Sequence, residues 1–330
     1  MTSSMTRRGF GQTLAALGGL AAAGTVGGWA GPARAETTLT FQANWLNDPE
    51  FLGYMIAIDN GYYGKYGLKV NYLPGGPNLI PEGSLLSGKA DIALTNMLTT
   101  AKAVVEKNAP LKIIGTQYQK SPIGFISLKQ TGINGPKDLV GKTVAVSTLA
   151  SNTVRAFLKM HDIAESQLKI VPYTFNPAPL INGDVDAVVD FVTQMPFLVE
   201  KASGKPVQSF LIYDHGLQFY IDLVVVTEDT LKKRRAELVN FMKASIQGWK
   251  ENFIDPKKYV TLYHDTWFKG TGSTVDAELF FNETQLALME HPRGFYAMTD
   301  DGIQRNLDAL AKLGVEANRS MFDTSLLGEL

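Results

Sequence analysis

The phrase Gly88-Lys89-Ala90-Asp91-Ile92-Ala93 returns in the second half of the chain as Gly183-Asp184-Val185-Asp186-Ala187-Val188. In both places a glycine suited to a helix end leads to an acid at the mouth of an apolar strand. The flanking segments repeat too. Apolar alternation over 39–43 predicts a first strand, and Leu52, Met55 and Ile56 at helical spacing predict a helix over 50–61 that stops at Gly61. A strand at 68–72 halts at Pro74-Gly75-Gly76-Pro77, then come a short helix at 82–87, a strand at 90–94, a helix at 98–107 and a strand at 111–116. From Lys142 the order recurs, with strands at 142–147, 168–173 and 187–191 and helices at 152–161 and 178–181. Strand-helix alternation predicts parallel α/β sheets, and its recurrence predicts two related lobes.

Two extended, aromatic-bearing runs, 118–129 and 219–227, read as strands that carry the chain between lobes and allow closure. The lobes are then 36–119 with 222–330, and 120–221. After Thr227 the chain turns helical. Leu231, Leu238, Met242, Trp249 and Phe253 mark one long face, and Ile303, Leu307, Leu310 and Leu313 another whose N-terminus Asp300 and Asp301 favour. This tail is expected on the first lobe, with the charged run 232–235 facing solvent.

Residues 1–35 read as an export leader. Arg7-Arg8 precede a weakly apolar stretch rich in Ala and Gly, which resembles the twin-arginine signal. Ala33-Arg34-Ala35 has the small-x-small form that signal peptidase cuts, making Glu36 the mature start. The glycines of that stretch argue against a membrane-spanning helix. The chain has no cysteine, so neither a disulfide framework nor a lipid-modified cysteine anchor is expected. Removing the leader's three arginines from 31 basic residues leaves 28 against 32 acidic ones, a balance that favours neither nucleic acid nor an anionic membrane. The four histidines, His161, His215, His264 and His291, are scattered without metal-spaced partners. No catalytic set, metal or cofactor is expected, and the chain reads as a non-enzyme; His215, near the returning strand, is the one histidine worth testing.

Several segments together are similar to the NMT1/THI5-like family of periplasmic binding proteins. They are Asn44-Trp45-Leu46-Asn47-Asp48-Pro49-Glu50, Gly61-Tyr62-Tyr63, Gly67-Leu68-Lys69-Val70, Pro74-Gly75-Gly76-Pro77 and the phrase at Gly88, with weaker similarity at Gly141-Lys142-Thr143-Val144 and Asp186-Ala187-Val188. The resemblance implies an α/β, periplasmic binding protein-like fold of type II, two lobes joined by two extended hinge crossovers. It implies a monomeric periplasmic receptor that closes on a small solute and delivers it to an inner-membrane ABC permease. Relatives bind thiamine-precursor pyrimidines, riboflavin, sulfonates or nitrate. The pyrimidine-binding members carry a histidine near the position of Glu50 or Phe51, which this chain lacks. A THI5-like branch makes a pyrimidine from pyridoxal phosphate using a cysteine-rich iron-binding segment, which this chain also lacks. A sensor for a membrane kinase would have the same sequence features as a transport receptor.

In open α/β sheets ligands sit beyond the carboxyl ends of the strands. The candidates there are Asn44, Trp45, Asp48, Asn96, Tyr118, Ser147, Thr148, Ser151, Asn152, Asp190, Phe191, Gln194 and Tyr220. Trp45, between a strand end and an Asn-Asp-Pro turn, is expected to wall a flat aromatic or heteroaromatic solute. Asp190 would accept hydrogen bonds from a heterocycle or pair with a cationic solute, or else form a hinge ion pair with Lys120 or Arg155. Residues 147–153 combine hydroxyls and amides at a helix start, a natural place for an anion. An anionic solute, sulfonate or nitrate, is the alternative ligand.

Overall fold

Two five-stranded sheets organise the chain in a computed structural model that describes residues 36–330. The leader, its twin arginines and its cleavage site lie outside the described residues. The first sheet contains β1 (Thr37–Gln42), β2 (Leu68–Leu73), β3 (Ile92–Thr95) and β4 (Leu111–Tyr118). The second contains β5 (Ile123–Leu128), β6 (Thr143–Val146), β7 (Lys169–Pro172), β8 (Ala187–Phe191) and β9 (Val207–Leu211), after which β10 (Ile221–Thr227) returns to the first. The orders are β2-β1-β3-β10-β4 and β7-β6-β8-β5-β9. The sheets are therefore mixed rather than purely parallel. β10 runs antiparallel to β3 and β4, and β5 antiparallel to β8 and β9, because each enters its sheet directly from the opposite lobe. The crossings themselves are only 119–122 and 212–220.

The repeated phrase does the same structural job twice. Gly88 (φ +72°) and Gly183 (φ +80°) take the left-handed conformation that ends a helix. Asp91 then accepts the Thr40 N–H at 2.7 Å while its own N–H donates to the Thr40 carbonyl. Asp186 does the same with Thr143, at 2.8 Å in both directions. Each acid closes the edge of a parallel ladder where backbone groups would otherwise lack partners.

Among the C-terminal helices the single long face breaks at Arg234 (φ −122°, ψ 26°), giving Glu228–Lys233 and Arg235–Ile254. The Arg234 guanidinium leaves solvent to bind the Asp91 carboxylate at 2.6 Å and the Thr38 carbonyl at 2.7 Å, so this member of the charged run is a tether. Helix Arg235–Ile254 packs on helix Leu52–Asp59 through Gly53 and Gly248. Helix Asp300–Lys312 starts where expected, with Thr299 Oγ1 accepting the Gly302 N–H. Strand β9 is not among the expected strands. In helix Val275–Met289 buried polar residues interrupt the apolar face: Asn282 exchanges two 2.8 Å hydrogen bonds with Asn252 of helix Arg235–Ile254 inside the core. Among the described residues no helix is long and apolar enough to cross a membrane.

Candidate ligand-binding site

Asn44 and Trp45 leave the end of β1 on a turn held from behind by the Pro74-Gly75 loop. Gln42 Nε2 donates to the Ala43, Leu73 and Pro74 carbonyls, and the Gly75 N–H donates to the Trp45 carbonyl at 2.8 Å. A side chain at position 75 would meet the Ala43 and Asn44 backbone at 2.4–2.5 Å, so this approach requires glycine. Trp45 crosses to the other lobe. Its ring lies 5.1 Å from Phe175, which follows β7, and Phe175 lies 5.5 Å from Tyr173. The Tyr173 hydroxyl donates to Asp190 Oδ2 at 2.7 Å. Phe175 holds φ +61° and remains 38% exposed, an unfavourable conformation for an aromatic residue at a place where its ring gains little burial.

Beside Asn44 three carboxyls meet without a cation. Asp48 caps the short turn Pro49–Phe51, its Oδ1 accepting the Glu50 N–H at 2.9 Å. Asp222, wholly buried in β10, accepts from Asn44 Nδ2 at 2.8 Å on one oxygen and from Gln117 Nε2 at 3.0 Å on the other. Gln117 also donates to the Glu50 carbonyl, Gln285 to the Pro49 carbonyl, and the Tyr118 hydroxyl to Gln285. Asp222 has φ +53°, a left-handed kink in a strand that Asp tolerates better than most residues. Burial pushes Asp48 up to about 8 and Asp222 up to about 6, and it drives Glu50 well above the carboxylate range. Burial and the neighbouring carboxyls of Asp222 and Asp48 thus favour the neutral form of Glu50.

A pH dependence follows. These acids hold protons in the folded chain that the unfolded chain releases near their ordinary values, so stability is fully present in acid and lost as pH rises through about 6 to 8. Circular-dichroism melts are expected to give a Tm several degrees lower at about pH 8.5 than at about pH 5.5. An equal or higher Tm at the alkaline end would contradict the buried cluster.

Asn44, Trp45, Asp48, Tyr118, Asp190 and Phe191 come together here, with Phe191 6.5 Å from Tyr118. Asp190 meets neither proposed cation, since Lys120 pairs with Asp214 and Arg155 with Glu165. The other expected residues lie apart from this group. Helix Ser151–Met160 follows Ala150, which caps nothing; Ser147 Oγ accepts the Ala150 N–H, Thr148 is exposed, and Ser151 lies half-buried in the first turn. Asn152 lines a separate groove with Lys102, Arg155 and Lys159. Asn96 is exposed with its side chain uninvolved in capping, and Gln194 flanks helix Met195–Ser203 half-buried. Tyr220 packs over Gly302, where an added side-chain carbon would lie 1.7 Å from its hydroxyl, and its N–H donates to Asn306. The Tyr220 side chain is spent on docking a helix. His215 packs on Phe210 and its carbonyl meets His161. Among the described residues no group of His, Cys, Asp and Glu is arranged to hold a metal.

Sequence reasoning missed Tyr173, Phe175, Gln117, Gln285, Glu50 and Asp222. Three carried a signal: Tyr173 and Phe175 follow a strand as Asn44-Trp45 does, and Asp222 interrupts the apolar run Ile221 to Thr227.

Residues 48–259 match the family described as NMT1/THI5 like. The chain belongs to that family. A protein named 4-amino-5-hydroxymethyl-2-methylpyrimidine phosphate synthase, from Legionella pneumophila, is 29% identical over 64% of this chain and 68% of its own length. Synthases of the same name from Schizosaccharomyces pombe and Uromyces fabae are each 28% identical, the match spanning 50% and 66% of their lengths. These relatives overturn the expectation of a non-enzyme, which leaned on the missing cysteines. The formylaminopyrimidine-binding protein of Halalkalibacterium halodurans is 23% identical over 64% of this chain and 65% of its own. The periplasmic sulfonate-binding protein SsuA of Methylobacillus flagellatus superposes with a TM-score of 0.66 at 14% identity, covering 90% of this chain and 94% of that one. That likeness shows the fold, the two-lobed type II architecture of solute-binding proteins.

Proposed function

We propose that this protein binds a flat heteroaromatic solute, pyrimidine-like or flavin-like, between Trp45 of one lobe and Phe175 of the other. The lobes are 36–119 with 222–330, and 120–221. The observation that carries this reading is the Trp45–Phe175 contact across the lobes, with Tyr173 and Asp190 behind one ring and Asn44 beside the other. Aromatic walls take flat ligands, and the polar groups around them fix orientation. Relatives named for formylaminopyrimidine and riboflavin support the class. As an exported monomeric receptor, the protein would hand its solute to an inner-membrane ABC permease. The scattered hydroxyls of residues 147–153 give an anionic solute less support.

A thermal-shift screen over aminopyrimidines, flavins, sulfonates and nitrate tests this. A heterocycle at 100 times its Kd is expected to stabilise the protein by about 2.7 kcal/mol, while the anions leave Tm unchanged. Stabilisation by sulfonate alone, or by nothing, sinks the proposal.

The three synthase relatives favour a second reading, in which the same site makes a pyrimidine phosphate. Incubation with pyridoxal phosphate followed by mass spectrometry for 4-amino-5-hydroxymethyl-2-methylpyrimidine phosphate separates the two. Product proportional to protein supports synthesis; ligand recovered unchanged supports capture.

A further inference from the structure

We infer that Asp222 is a positioning residue that makes the site select ligands by their N–H donors. The inference rests on the heteroaromatic reading above. A carboxylate only accepts hydrogen bonds, whereas a side-chain amide offers N–H groups at one end and an acceptor at the other. Asp222 receives Asn44 Nδ2 at 2.8 Å and Gln117 Nε2 at 3.0 Å, which decides the orientation of both amides. Turning either one over would set a carbonyl oxygen against a carboxylate oxygen.

The consequence lies at the other ends of the amides. Asn44 Oδ1 and Gln117 Oε1 are both buried and neither has a hydrogen-bond partner. Buried acceptors of this kind are uncommon and ask for a donor. Gln117 is wholly buried, and Asn44 immediately precedes Trp45, so a ring stacked on Trp45 reaches Asn44 first. What such a ring must present is an amino group or a ring N–H. An oxygen or nitrogen acceptor at the same place would face Asn44 Oδ1 with no proton between them.

The rest of the network keeps Asp222 an acceptor. Gln117 bridges Asp222 and the Glu50 carbonyl, donating to the first at 3.0 Å and to the second at 2.7 Å. The backbone makes room for this geometry. Asp222 lies between the pairs Ile221–Tyr118 and Leu223–Thr116, level with Gln117, and its left-handed φ of +53° accompanies a carboxyl directed to both amides. Asparagine tolerates the same conformation, so Asp222→Asn is the informative variant. Its amide can donate, and Asn44 is then free to turn over.

The test is isothermal titration with two probes, 4-amino-5-hydroxymethyl-2-methylpyrimidine and the analogue with methyl in place of the 4-amino group. Wild-type protein is expected to prefer the amino probe by at least about 10-fold, the size of effect a buried acceptor left unpaired produces. In Asp222→Asn the preference is expected to fall to within about 3-fold, through weaker binding of the amino probe relative to the methyl probe. A role in folding alone would weaken both probes together. Should Asp222→Asn fail to fold by circular dichroism, Asn44→Ala removes the acceptor itself and is expected to abolish the preference. Equal binding of the two probes to wild type, or a preference kept in the folded variant, overturns the inference and leaves the heteroaromatic reading standing. Binding of neither probe, with sulfonate or nothing bound instead, overturns both.

Discussion

Trp45→Ala lowers affinity for a stacked heterocycle by about 10- to 100-fold, a loss of roughly 1.4–2.8 kcal/mol, with little change in Tm. The indole is half-buried at the lobe boundary and meets Phe175 edge to face at 5.1 Å and 65°, so it contributes a wall more than a core element. Removing it takes away the apolar area a ring would cover and the aromatic term beyond that area. Trp45→Phe restores a smaller face and is expected to recover most of the affinity. Titration calorimetry with the best ligand from the screen measures both, and unchanged binding in Trp45→Ala would place the ligand elsewhere.

Gly248→Ala destabilises the protein by about 3 kcal/mol through overpacking at the crossing of helices Leu52–Asp59 and Arg235–Ile254. An added carbon at position 248 would lie 1.9 Å from the Gly53 carbonyl oxygen and 3.0 Å from the Ala57 nitrogen. Both are backbone atoms of the facing helix, so no rotamer change relieves the clash and the helices must separate. The neighbouring crossing is equally tight, with the Trp249 indole 2.3 Å from where a Gly53 side chain would begin. The shift in Tm is expected to be roughly 6–10 °C. Gly83→Ala is the control, because nothing lies within 4 Å of its added carbon and alanine favours a helix. A Gly248→Ala protein that melts with wild type would mean that the two helices do not cross this closely.

Both effects bear on how the lobes work. The glycine crossing holds helix Leu52–Asp59 against helix Arg235–Ile254, while Trp45 is half-buried against Phe175, a contact that a ligand between the two rings would replace.

Most strands and helices and the two-lobe repeat were legible because their signals are local, β9 being the strand without one. Apolar alternation, helical spacing and a glycine ending each helix are properties of a few neighbouring residues, and so was the pair of phrases at Gly88 and Gly183. Trp45 was legible for the same reason, a ring placed between a strand end and a turn. The surroundings of residues 147–153 and Tyr220 were not legible, because capping residues look alike whether or not they face a ligand and a strand-end aromatic can equally dock a helix. Orientation decided those cases. The antiparallel strands β5 and β10 were also beyond reach, since their direction depends on which lobe they enter and not on their own residues.

Chain order and local pattern alone thus determine that this protein has two related α/β lobes with a tryptophan at the mouth of the first strand. Only the tertiary structure decides what faces that tryptophan. Phe175 arrives from the other lobe, and Asp222 meets Asn44 across 178 positions of sequence and Gln117 across 105. Hydrogen-bond partners so far apart leave no periodic trace, because what selects them is the closing of the sheets and the burial of a charge that must then find donors.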